Sequence, residues 1–216
     1  MVDYELARKL MVDNQLRTHH VTERRILAVM GRIPRELFVS EGRKSIAYID
    51  AIQPLGASGT RFMAPPSLLA KLVQLADVQP GDSVLDIGAG TGYSTAVLAG
   101  LGAQVHGLEE DAALVAMANA NLASLGVSNA SVAVGSMAQV SGAYDVIVLQ
   151  GAVETVPSNL FARLKDGGRL VSMIRQGGVA VANLYVKSGT GVTARAEFNA
   201  TLPPLSTVRP AEQFSF

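Results

Sequence analysis

Near the start of the chain, apolar residues fall at helical spacing: Leu6, Leu10, Met11 and Leu16, then Ile26, Leu27, Val29 and Met30 behind a Thr22 cap. Positions three and four apart share one helical face, so helices are expected from Tyr4 to about Ala47. Between Asp50 and Met63 the periodicity fades, and Gly56, Ser58, Gly59 and Thr60 predict a loop. Pro65 and Pro66 then open a helix through Leu68, Leu69, Leu72, Val73 and Leu75, since a first turn tolerates proline.

From Ser83 the pattern changes to short apolar runs alternating with helical stretches. Strands are expected over Val84 to Ile87, Gln104 to Leu108, Ala130 to Val134, Tyr144 to Leu149 and Arg169 to Ile174. Between them lie helices from Thr91 to Leu101, Ala112 to Leu125 and Pro157 to Leu164, with a turn at Asp166-Gly-Gly168. This is the rhythm of a parallel sheet with helical crossovers. The tail, Asn183 to Val186 and Thr193 to Phe198 around Ser188-Gly-Thr-Gly191, predicts a hairpin that ends the sheet antiparallel. The expected fold is α/β, a doubly wound, mostly parallel Rossmann-like sheet with an N-terminal helical extension. Residues 1–63 would carry the helices and the loop, and 64–216 the sheet core, within one domain.

Composition narrows the chemistry. The 216 residues are 49% hydrophobic, enough for one sizeable core, and carry 18 basic and 18 acidic side chains. No basic footprint for a phosphate backbone is visible, so no nucleic-acid partner is expected. There is no cysteine and only three histidines, two of them adjacent, so no metal site is expected. No stretch approaches the roughly 20 apolar residues of a membrane span, and the mixed-charge start has no signal core; the cytoplasm is the expected address.

The richest chemical signal is Asp86-Ile-Gly-Ala-Gly-Thr-Gly-Tyr93, between an expected strand and an expected helix. Gly88, Gly90 and Gly92 let the backbone turn tightly around Ala89 and approach a ligand closely. Glu109 follows Gly90 by 19 residues, at the end of the next strand, where a carboxylate can accept hydrogen bonds from both ribose hydroxyls of an adenosine. A dinucleotide fingerprint would need a small residue where Tyr93 stands; Gly92 comes one place early. The spacing G-x-G-x-G after an acid resembles the first motif of class I S-adenosylmethionine-dependent methyltransferases. On that resemblance Ser136 and Met137, ending the third strand, lie near the adenine. Gln150 and Glu154, ending the fourth, should overlook the methyl group.

With these residues located, the chain resembles the protein-L-isoaspartate O-methyltransferase family. The supporting motifs are Met11-Val with Gln15-Leu16, Ile33-Pro-Arg-Glu-Leu-Phe-Val39, Ala47-Tyr with Asp50, Ala64-Pro65 and Gly92-Tyr93. The resemblance implies S-adenosyl-L-methionine as cofactor and isoaspartyl-containing proteins or peptides as partners. It places the acceptor loop at Gly59, Thr60, Arg61, Phe62 and Met63. Family members read G-Q-T-I-S there, so Arg61 replaces a threonine and Met63 a serine; Gly135-Ser-Met137 likewise replaces Gly-Asp-Gly.

A carboxylate acceptor is already nucleophilic and needs alignment rather than a general base. A hydroxyl acceptor would use one, with Glu154, His19 and His20 as candidates; His106, mid-strand, reads as structural. Arg61 is expected to pair with an anionic group on the acceptor. The altered loop keeps two alternatives open: a divergent methyltransferase for another small or anionic acceptor, and a non-catalytic cofactor-binding protein.

Overall fold

Strands that alternate between two apolar faces need cover on both, and β3 (Ser83–Ile87) shows how this chain supplies it. Val84 joins one core and Leu85 and Ile87 another, while β6 (Tyr144–Val153) splits the same way, Val146 and Val148 against Ile147 and Leu149. The computed structural model describes residues 2–56, 59–177 and 179–205. The main sheet has seven strands in the order β5-β4-β3-β6-β7-β8-β9, with β4 Gln104–Glu109, β5 Ala130–Val134, β7 Leu164–Gln176, β8 Val179–Ser188 and β9 Gly191–Ala200. Strands β3 to β7 pair in parallel, and β7-β8-β9 pair antiparallel. The order reverses beside β3, where β4 and β6 lie on either side.

Helices α1 (Tyr4–Met11), α2 (Arg24–Met30), α3 (Pro66–Ala76), α4 (Tyr93–Gly100) and α5 (Ala112–Ser124) contribute to the larger core. The smaller core lies under α6 (Ser158–Ala162) and includes Tyr144, Leu160, Leu164, Leu170 and Leu205. A Cβ on Gly100 would stand 2.7 Å from Val29, so α2 and α4 meet at a position where a larger residue would push them apart.

Three expectations are corrected. The Asp50–Met63 stretch is not all loop: β1 (Gln53–Leu55) and β2 (Arg61–Met63) pair antiparallel, giving a separate two-stranded ribbon. Its strands are too short to show a period, and Ser58 lies outside the described residues. Thr22 does not cap α2; Glu23 does, accepting from Arg25 N, while the Thr22 amide donates to Gln74 Oε1 at 2.8 Å. Asp166 to Gly168 falls inside β7, where the register with β6 jumps from Tyr144–Leu164 to Val146–Arg169 and Gly167 has φ 73°. Among the described residues, no helix is long and apolar enough to cross a membrane, and no group of three or more His, Cys, Asp or Glu could hold a metal ion.

Candidate functional site

The turn after β3 is built from inside by Asp86. Its side chain is fully buried; Oδ2 accepts from Ser94 Oγ and Thr95 Oγ1, both at 2.7 Å, and Oδ1 accepts from Gln150 Nε2 at 2.7 Å. Burial raises the carboxyl pKa; the three hydrogen bonds oppose this, and the charge of Glu109 adds to the rise. Asp86 therefore joins β3, the first turn of α4 and the end of β6, and both its oxygens are engaged by protein donors.

Gly88, Gly90 and Gly92 have φ of 81°, 55° and 92°, the left-handed region that a side chain disfavours. Gly88 N and Ala89 N donate to Leu108 O at 2.8 and 3.1 Å, tying the turn to β4. A Cβ on Gly92 would meet Ala118 Cβ at 3.1 Å, which sets α5 close against the turn. Tyr93 is buried, edge-on to Phe38 at 5.3 Å between centroids.

Glu109 closes the turn from the side. Oε2 accepts from Gly90 N at 3.0 Å, and Oε1 accepts from Glu110 N at 2.8 Å and Asp111 N at 3.1 Å. Arg61 from β2 adds a fourth donor, Nε to Oε1 at 2.8 Å, and also donates Nη2 to Glu110 Oε2 at 2.7 Å and Nη1 to Leu205 O. Burial disfavours the charge on Arg61, but Glu109 and Glu110 outweigh it and raise its pKa. Its guanidinium is thus engaged by protein carboxylates rather than facing an acceptor, contrary to expectation.

Two narrow spaces of about 10 Å³ each flank Gly88. One is bordered by Leu55, Phe62, Met63, Ala89, Tyr93 and Gln150; the other by Arg61, Glu109, Ser136, Met137 and Leu205. Of the residues expected to bind cofactor, Gly88, Ala89, Tyr93, Glu109, Ser136, Met137 and Gln150 border these spaces with Arg61, Phe62 and Met63 of the expected acceptor loop, whereas Asp86, Gly90 and Gly92 border neither. Gly59 and Thr60 are exposed ahead of β2. Larger concavities of about 520 and 500 Å³ lie at the far ends of α3 and α4 and hold none of these residues.

The other candidates are scattered. Glu154 is exposed just past β6. His20 lines the 500 Å³ groove with Lys71 and Arg169, near the strand ends opposite the glycine turn, and adjacent His19 bonds Gln15 O through Nδ1 at 2.8 Å; neither reaches the site. His106, exposed on β4, lies edge-on to Tyr144 at 5.9 Å between ring centroids, away from the site.

Several important residues had no local signal. Leu205, 53 positions beyond Ala152 in sequence, is held to it by hydrogen bonds from Ala152 N to Pro203 O at 2.9 Å and from Leu205 N to Ala152 O at 2.8 Å. Its side chain lies where a Cβ of Gly88 would be, and Leu55 Cδ1 would stand 2.7 Å from a Cβ on Gly90. Arg35 is fully buried: Nε donates to Ala47 O at 2.8 Å, Nη2 to Ala64 O at 2.6 Å, and its guanidinium lies 4.7 Å from the Tyr93 ring centroid. Burial lowers its pKa, and among the described residues Arg35 Nη1 and Tyr93 Oη have no hydrogen-bond partner. The dispersed sequence motifs meet around it: Gln15 Nε2 donates to Tyr48 O at 2.8 Å, Tyr48 Oη to Glu36, and Asp50 accepts from Ser67 N and Oγ at the start of α3.

The site suits an adenosyl ligand in its donor set. Backbone bare of side chains at Gly88 and Gly90 faces a carboxylate whose Oε2 carries one donor, although Leu205, Leu55 and Arg61 now fill the approach.

A model of the family described as protein-L-isoaspartate(D-aspartate) O-methyltransferase matches residues 7–205. The protein-L-isoaspartate O-methyltransferase of Koribacter versatilis is 36% identical over 86% of this chain and 83% of its own length. That of Methanoregula boonei is 36% identical over 88% and 87%. A solved structure named protein-L-isoaspartate O-methyltransferase superposes with a TM-score of 0.81 at 25% identity, covering 91% of this chain and 65% of that one. A Plasmodium falciparum structure described with the same activity name, in complex with S-adenosyl-L-homocysteine, gives 0.79 at 22% identity over 92% and 98%, a likeness of fold.

Proposed function

Because the chain belongs to the protein-L-isoaspartate(D-aspartate) O-methyltransferase family, we propose that it transfers the methyl group of S-adenosyl-L-methionine to the carboxylate of an isoaspartyl residue in a damaged protein. The observation that carries the cofactor half is Glu109, a buried carboxylate joined to Gly90 N at the end of β4, beside a turn of three positive-φ glycines. There it would accept hydrogen bonds from the ribose hydroxyls, and the glycine turn would hold the amino acid end of the ligand against bare backbone.

The cofactor supplies a methyl group on a positively charged sulfur. Transfer of that methyl to a carboxylate oxygen would give a methyl ester and leave the sulfur as a neutral thioether. The protein's part is placement. Asp86 fixes the turn and Gln150 from within, and Ser136 and Met137 border the adenine side. Leu55, Phe62 and Met63 form an apolar wall on the acceptor side, excluding water from a reaction that needs no general base.

Buried Met63, where the family carries serine, favours a second reading, a different small acceptor. One experiment separates them: labelled methyl transfer to an isoaspartyl peptide against its normal aspartyl twin, with cofactor binding measured on the same sample. Isoaspartate-selective labelling is the expected result. Binding without labelling, with activity appearing in Met63→Ser, would establish the second reading. In Glu109→Gln, cofactor affinity should fall by about tenfold or more.

A further inference from the structure

We propose that Arg61 is an internal competitor of the cofactor, a latch that holds the ribose-binding carboxylate and the glycine turn closed until the ligand displaces it. This rests on the reading of Glu109 given above. The geometry is a three-way fork: Nε on Glu109, Nη2 on Glu110 and Nη1 on the carbonyl of Leu205, so that one side chain of β2 spans the end of β4 and the segment returning from β9. The Glu109 side chain is 0% exposed beneath an Arg61 that is itself 12% exposed, and a ribose diol has no path to it with the guanidinium in place. Oε1 already accepts three hydrogen bonds. The same fork fixes Leu205 over Gly88, against which a bound ligand would have to lie.

A planar, permanently charged guanidinium suits this role because it satisfies three acceptors in one plane, which neither a small hydroxyl nor an ammonium can do. The ligand offers Glu109 neutral hydroxyls in exchange for a cation, so part of its binding free energy is used to break the ion pair. The exposed Glu110, 48% accessible, lies within reach of the released guanidinium, which keeps the latch beside the site. Since Arg61 belongs to the strand that also carries Phe62 and Met63, opening the cofactor side frees the acceptor wall, and cofactor binding comes first.

The test is titration calorimetry of S-adenosyl-L-homocysteine, which binds without turnover, against wild type, Arg61→Thr, Arg61→Lys and Glu109→Gln, with melting of each protein alone and at saturation. The latch predicts about tenfold tighter binding for Arg61→Thr and an intermediate gain for Arg61→Lys. Arg61→Thr should melt below wild type when free, with the gap closing at saturation. Unchanged or weaker binding by both Arg61 variants, while Glu109→Gln abolishes it, would overturn the latch alone. Unchanged affinity in Glu109→Gln would overturn the ribose reading and the latch with it.

Discussion

Asp86 shows how one side chain can organise a site without facing it. A carboxyl enclosed with three donors keeps a raised pKa because burial opposes its charge. Between the ordinary carboxyl range and that raised value, the folded protein holds a proton the unfolded chain has released, so Asp86 makes stability fall as pH rises through this window. In Asp86→Asn the amide still accepts from Gln150 and can donate to the Ser94 and Thr95 hydroxyls. The stability of Asp86→Asn relative to wild type should therefore grow with pH, as read from urea unfolding at intervals between about pH 4 and pH 7. Gly90 gives the opposite kind of prediction. With φ at 55° and Leu55 Cδ1 only 2.7 Å from where the added Cβ would stand, Gly90→Ala should lose about 1–2 kcal/mol in the same assay. The glycines and Glu109 were legible because backbone conformation and strand-end chemistry leave local marks. Arg35 and Leu205 were not, since their partners are distant in sequence and nothing near either residue announces them.

At the scale of elements, β5 forms one edge of the sheet, and edges invite pairing with other chains. Asn119 of α5 meets this strand directly: its amide donates to Val132 O at 2.8 Å and accepts from Val132 N at 3.0 Å, engaging both polar groups of that residue. Asn119→Ala should cost roughly 1–3 kcal/mol in unfolding by urea and raise self-association seen by light scattering. The parallel strands could be read to within a few residues because each is an apolar run between a glycine-bearing turn and a helix. The ribbon of β1 and β2 could not, as three-residue strands are shorter than the patterns that reveal them. The first helix also departs from its simple pattern, passing into a π turn at Val12–Leu16, within which Gln15 donates to Tyr48 O. Tertiary contacts, absent from any local window, provide the physical reason for both differences.

For the molecule as a whole, the sheet centre, the ribbon of β1 and β2 and the returning segment converge on Gly88, so ligand binding should be felt globally. A ligand that binds only the folded state stabilises it by about 2.7 kcal/mol at a concentration of 100 Kd. S-adenosyl-L-homocysteine at that excess should raise the melting temperature in a scanning fluorescence assay, and should do so less in Glu109→Gln. The convergence also governs the chain during its synthesis. Asp86 acquires its Gln150 donor from 64 residues further on, and Arg61 reaches a carbonyl 144 residues away. Chains emerge from the ribosome N-terminus first, and contacts at such separation form only after the intervening chain is closed into a loop. The glycine turn is translated early and completed late: a product released before residue 150 would carry the whole motif yet leave its central carboxyl short of a donor and its strand without β6, so incomplete translation yields an inert chain rather than a half-active enzyme.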